Sequence, residues 1–120
     1  MNIEEFRDYC LAKPGTSEDT PFDEVTLCLR VMNKIFAITG MDNPEFQVNL
    51  KCDPDRAIEL REEFPDDIFG GWHMNKKHWN TVKFETGLDH DLLRELIDHS
   101  YDLIVAKLKK ADKLALQEMK

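Results

Sequence analysis

Residues 25–52 read VTLCLRVMNKIFAITGMDNPEFQVNLKC, and their periodicity decides the fold. Val25, Leu27, Leu29 and Val31 alternate with Thr26, Cys28, Arg30 and Met32, which sets an apolar row on one face of an extended strand. A tight turn is expected at Asn33-Lys34. It leads into KIFAITGM, apolar on both faces as in a strand at the middle of a sheet. A second turn at Asp42-Asn43-Pro44 precedes EFQVNLKC, where Phe46, Val48, Leu50 and Cys52 face one way and Glu45, Gln47, Asn49 and Lys51 the other. Connections this short join antiparallel neighbours, so the stretch reads as a three-stranded meander with one wet face.

Working outward, the flanks are helical. Asn2 can cap a first helix, with Glu5 placed as in a capping box and Phe6, Tyr9 and Cys10 on one side. Lys13-Pro14-Gly15 stops it, and SEDTPFDE reads as a solvated loop. After the meander, Asp53 is an N-cap with Pro54 at the first helical position; Ala57, Leu60 and Phe64 stripe this helix and Pro65 ends it. PDDIFGG reads as a loop, and TVKFET resumes strand character through Val82 and Phe84. Asp89 caps the longest helix, with Leu92, Leu93, Leu96, Ile97, Ser100, Tyr101, Ile104 and Leu108 at helical spacing. Lys107, Lys109 and Lys110 fall near its C-terminal part, where cations favour the helix dipole. The tail ADKLALQEMK continues as a last helical segment. The expected class is α+β, a single antiparallel sheet packed against helices. Its expected order is helix, three strands, helix, one or two strands, helix, in one domain over residues 1–120.

A hydrophobic content of 42% with 33% charged residues fits a folded, soluble chain. The opening MNIEEFRDYC lacks signal-peptide character, and no apolar run approaches membrane-spanning length. The three cysteines, Cys10, Cys28 and Cys52, form no CxxC pair and read as reduced thiols of a cytosolic protein. The net charge of −8 disfavours nucleic acid and acidic membranes at long range. It is unevenly spread: counting Lys and Arg against Asp and Glu leaves −5 over residues 53–69 but +3 over residues 70–84.

That basic island is GGWHMNKKHWNTVK, residues 70–83. A metal site is unsupported. His73 and His78 are five apart, on opposite faces of a strand or about 140° apart on a helix, and lysines flank them. Ser100 lies mid-helix with no strained elbow, so its hydroxyl is expected to bond a backbone carbonyl. Cys52 points inward beside Asp53, which opposes thiolate formation. Asp66-Asp67 reads as solvent-facing, and Gly70-Gly71 lacks the lysine and hydroxyl of a phosphate loop. Nucleic acid remains: Lys76, Lys77 and Lys83 interleave with Trp72, His73, His78 and Trp79, combining cations with rings that can stack. Three neutralised phosphates would give a salt slope of only about −2.7, a weak interaction. If Val82 and Phe84 face the core, Trp79 and Thr81 should lie on the other face. The favoured resolution is a single helical turn NKKHW capped by Asn75, with Trp79 folded back onto the core as a structural anchor.

The same stretch, WHMNKKHWNTV, resembles the signature of the MmcQ/YjbR family of small bacterial proteins. The resemblance extends to KPGTSEDTPF, KIFAI and LIDHSYDLI, in order and across nearly the whole chain. It implies a one-domain α+β fold of helix, three strands, helix, two strands and helix, with Trp72-His73-Met74 as a short fourth strand. Carried over, the signature falls on His73, Asn75, Lys76, His78, Trp79, Ser100 and Tyr101, none of them an established catalytic residue of the family. The family is often described as DNA-binding, partly because its fold resembles winged DNA-binding modules. The expectation is therefore a non-enzymatic module without cofactor, meeting double-stranded DNA through Trp72, His73, Asn75, Lys76, Lys77, His78 and Lys83. The rival is an acidic domain that meets a basic protein or a small ligand. An enzyme using His73 or His78 as general base would need a pocket joining that ring to a carboxylate.

Overall fold

The Asn2 side chain accepts a bond from Glu5 N at 2.8 Å while the Glu5 carboxylate takes Asn2 N, so the capping box starts helix α1 (Ile3–Leu11) as expected. Gly15, at φ +72, turns the chain after it, and a side chain there would collide with Leu116 at 2.7 Å. The computed structural model describes residues 1–71 and 74–120. The further elements are β1 (Thr16–Asp19), β2 (Thr26–Val31), β3 (Lys34–Gly40), β4 (Gln47–Lys51), α2 (Pro54–Glu63), β5 (Ile68–Gly70), β6 (Trp79–Lys83), α3 (His90–Ala106) and α4 (Lys110–Glu118). Among the described residues six strands make one antiparallel sheet in the order β1-β2-β3-β4-β6-β5.

The meander is β2-β3-β4, with β3 inside the sheet as its two-faced apolarity requires. Its first turn is displaced by one residue from the expected Asn33-Lys34. Met32 and Asn33 hold positive φ (48 and 70), and Lys34 already pairs with Val31. A two-residue turn with both φ positive matches the twist of the strands, which favours this register. A bulge follows: Leu29 opposes Ala37 and Arg30 opposes Ile35, so Phe36 is the extra residue and both Phe36 and Ala37 reach the core.

Three expectations need correction. SEDTPFDE is not all loop, because Ser17–Asp19 belongs to edge strand β1, where Glu18 takes Arg7 and Asp19 takes Arg30. A polar edge strand held by arginines has no apolar alternation to reveal it. Within PDDIFGG, Ile68–Gly70 forms β5 against β6; the expected fourth strand at Trp72-His73-Met74 falls partly on Trp72 and His73, outside the described residues. Lys109 and Lys110 do not end α3 but open α4, and only Lys107 caps α3.

The register sorts the two faces. Leu29, Ala37, Leu50, Val48 and Val82 share the side covered by helices, where α3 packs on β3 and β4. At one end of this core Phe6, Phe46 and Phe84 meet edge to face with centroids 5.4–5.6 Å apart. At the other end, Ser100 Oγ donates to Phe36 O at 2.6 Å and accepts from Lys51 N at 2.9 Å. The carbonyl it bonds is thus on β3 rather than in its own helix. β3 and β4 pair only through Ala37–Leu50, Ile38–Asn49 and Thr39–Val48, so the hydroxyl stands where the next rung would be. The three cysteines are free and buried. Burial pushes the Cys10 thiol up to about 12. No helix among the described residues is long and apolar enough to cross a membrane.

Candidate nucleic-acid interface

The helical turn expected in NKKHW is present. Asn75 Oδ1 accepts from Lys77 N at 3.0 Å, and Asn75 O accepts from His78 N and Trp79 N at 3.1 and 2.9 Å. Two backbone bonds stitch the turn to the sheet: Cys52 N donates to His78 O (2.8 Å), and Gly71 N donates to Trp79 O (3.0 Å). A Cβ at Gly71 would stand 3.2 Å from that same Trp79 oxygen, so glycine permits the close approach. From below, Arg61 of α2 donates through Nε to Asn80 Oδ1 at 2.7 Å and through its terminal nitrogen to the Lys76 carbonyl. Asn80, 2% exposed, completes the tie by reaching Ala57 O.

This scaffold presents Lys76 and Lys77 side by side and exposed. Neither enters any ion pair among the described residues. With Arg61, Ile58, Pro54 and Asp55 they line an open groove of about 330 Å³ between α2 and the turn. Three cations and one carboxylate leave the groove positive although the whole chain is negative. Arg61 was not among the expected contacts, since it lies within the segment of net −5.

Lys83 does not belong to this patch. It sits at the far end of β6, about 13 Å along the strand from Trp79, and its ammonium pairs with Glu45 at 3.5 Å. Contiguity in sequence made it look like a third member, but the strand carries it away. Trp79 also departs from expectation. It starts β6 opposite Lys51, half-buried and outside the core cluster, so it does not fold back onto the core. Its face is the one that strand alternation from Val82 and Phe84 requires, shared with Thr81, which donates to Asn49 Oδ1 at 2.6 Å. His78 is half-buried on the turn. Of the other expected contacts, Asn75 serves as the cap of the turn, while Trp72 and His73 lie outside the described residues.

No histidine–carboxylate couple of the kind an acid–base enzyme needs appears among the described hydrogen bonds. His99 Nε2 accepts from Asp53 N at 3.1 Å, and burial, then the Arg56 charge, hold it below the ordinary imidazole range. Of the Asp66-Asp67 pair, Asp66 is exposed as expected. Asp67 is half-buried and accepts from the Thr86 hydroxyl.

The YjbR family model matches residues 11–103, which include the turn, its scaffold and Ser100. The chain belongs to the YjbR family. It is 30% identical over 119 residues to the uncharacterized protein YjbR of Escherichia coli strain K12, covering 99% of this chain and 100% of that one. The crystal structure of Deinococcus radiodurans protein DR2400, with domain DUF419, superposes with a TM-score of 0.90 at 36% identity, over 97% of this chain and 88% of that one. A crystal structure of a Pseudomonas syringae protein follows at 0.73 and 27%, over 86% and 98%. The YjbR fold is therefore shown, and with it the single antiparallel sheet and its helices.

Proposed function

We propose that this YjbR-family protein is a non-enzymatic module that holds double-stranded DNA by its phosphate backbone. The observation that carries this reading is the turn Asn75–His78, which sets Lys76 and Lys77 beside Arg61 on a rigid support. The contacts are ammonium to phosphate, so they position the protein without reading sequence. The acidic residues Glu45, Glu85 and Asp67 gather around the opposite end of β6, away from the turn, which reduces their penalty at the interface. What supports the non-enzymatic part of this reading at Ser100 is that its Oγ is engaged by two backbone partners, Phe36 O and Lys51 N.

The test is a DNA duplex titrated at about 50 mM and about 150 mM salt, conditions between which phosphate contacts weaken strongly. Lys76→Ala with Lys77→Ala should weaken binding alike on unrelated sequences and lower the salt slope by about two. No retention of DNA by the native protein at the lower salt would reject the reading and favour an acidic surface that meets a basic partner.

A further inference from the structure

The sheet face turned away from the helices carries a hollow of its own. Ile38, Asn49, Thr81 and Phe69 are direct neighbours across β3, β4, β6 and β5, so their side chains share that face. Gly40, two residues beyond Ile38, falls on the same side. Asn49, Thr81 and Phe69, together with Gly40, Asn43 and Gln47, line an open hollow of about 300 Å³. None of these side chains is charged, and three of them are amides.

Each amide is anchored at one end. Asn43 Oδ1 accepts from Glu45 N at 2.9 Å, and Asn49 Oδ1 accepts from the Thr81 hydroxyl at 2.6 Å. Gln47 Nε2 donates to the Glu45 carboxylate at 3.0 Å. A primary amide pairs an acceptor oxygen with a donor nitrogen, so holding one end defines the other. What is left is a donor on Asn43, a donor on Asn49 and an acceptor on Gln47, and no hydrogen bond among the described residues uses them. Gly40 keeps the space above them open. Its backbone does not require glycine, since the positive-φ glycines are Gly15 and Gly87. Crowding does not require it either: a Cβ there would meet Asp42 Oδ1 at an ordinary 3.4 Å. A glycine in a strand weakens it and often marks a place where a ligand comes close.

We propose that this hollow binds the uncharged base of a pyrimidine nucleoside. Cytosine and uracil each present two acceptors and one donor along one edge, the complement of two amide donors and one amide acceptor. The half-buried Phe69 supplies a ring beside them, and bases gain by stacking on such rings. Charge disfavours a phosphate here. Asp42 stands next to Gly40, Glu45 holds Gln47, and Lys83 is already paired with Glu45. The site is separate from the Lys76–Lys77 groove between α2 and the turn, and it stands whether or not the protein retains DNA.

The probes are cytidine and uridine, titrated separately into the full chain while the side-chain amide signals of Asn43, Gln47 and Asn49 are followed by NMR. Saturable shifts of these signals are expected with at least one of the two. Gly40→Val fills the hollow with a residue that suits a strand. It should keep the thermal midpoint within a few degrees and weaken nucleoside binding by about tenfold or more. If that variant fails to fold, Gln47→Met, similar in volume, removes the acceptor and carries the test with the same expected loss. Lys76→Ala with Lys77→Ala should leave binding within about twofold, because an uncharged base gains little from distant cations. Cytidine monophosphate should bind more weakly than cytidine. The proposal is overturned if neither nucleoside gives saturable shifts, if the folded hollow variant binds as well as the native chain, or if the monophosphate binds more tightly.

Discussion

The two ends of the sheet are built on different principles. At the end where Met1 and the β3–β4 turn lie, Phe6, Phe46 and Phe84 interlock as a dry aromatic cluster, and the surface above carries Glu45, Glu85 and Asp67. At the other end the strands are held by polar pins. Ser100 bridges β3 and β4, Tyr101 donates to Pro14 O at 2.6 Å, and Arg61 fastens the basic turn. Apolar packing dominates the first end, where the Met1 ammonium also donates to Phe84 O at 2.8 Å. At the second, Phe36 and Tyr101 also meet edge to face at 5.6 Å, side-chain hydrogen bonds add to that packing, and Lys76 and Lys77 stand exposed. The two ends thus differ in what their surfaces carry: carboxylates lie above the ring cluster, and exposed lysines stand on the hydrogen-bonded turn.

The largest expected effect strikes the aromatic end. Phe84 is 2% exposed and touches both other rings, so Phe84→Ala should cost on the order of 3–5 kcal/mol. At about 4–8 °C per kcal/mol for a domain of this size, the thermal midpoint should fall by well over ten degrees. Trp79→Ala, in the same strand region but half-buried and outside the core, should cost roughly half as much on the same cavity argument. Equal losses in a calorimetric comparison would mean that Trp79 anchors the core after all and that the ends are not so different.

An intermediate effect should strike the polar end. Ser100→Ala removes one hydroxyl but strands two backbone groups, Phe36 O and Lys51 N, in a site that is fully buried. Each unsatisfied buried group costs about 1–3 kcal/mol, so the variant should lose about 2 kcal/mol or more, with faster amide exchange at Lys51. A loss well under 1 kcal/mol would show that the β3–β4 ladder can close without the pin.

Much of the aromatic end was legible in the sequence, because its information is local and periodic. Phe6 sits on a capped helix stripe, and Phe46 and Phe84 follow the alternation of Val48 and Val82. The polar end was only half legible. Asn75 and the lysines declared a turn, but Ser100 reaches a strand 64 positions away, which no spacing in the sequence could show. Strands β1 and β5 were missed for a related reason. One is polar and pinned by arginines, and the other is too short, at three residues, to show a period.

The smallest expected effect concerns Lys83, and it decides where the basic surface ends. Its ammonium and the Glu45 carboxylate form a surface pair at 3.5 Å, with Glu45 more than half exposed. Such pairs contribute about 0–1 kcal/mol, so Lys83→Ala should shift the midpoint by no more than a few degrees. Binding gives the sharper contrast. A phosphate would have to displace Glu45 to reach Lys83, and Glu85 lines the same hollow and would repel it. Lys83→Ala should therefore leave the salt slope for DNA unchanged, while the Lys76/Lys77 pair lowers it by about two. A fall of about one unit on removing Lys83 would extend the interface along all of β6 and erase the division between the two ends.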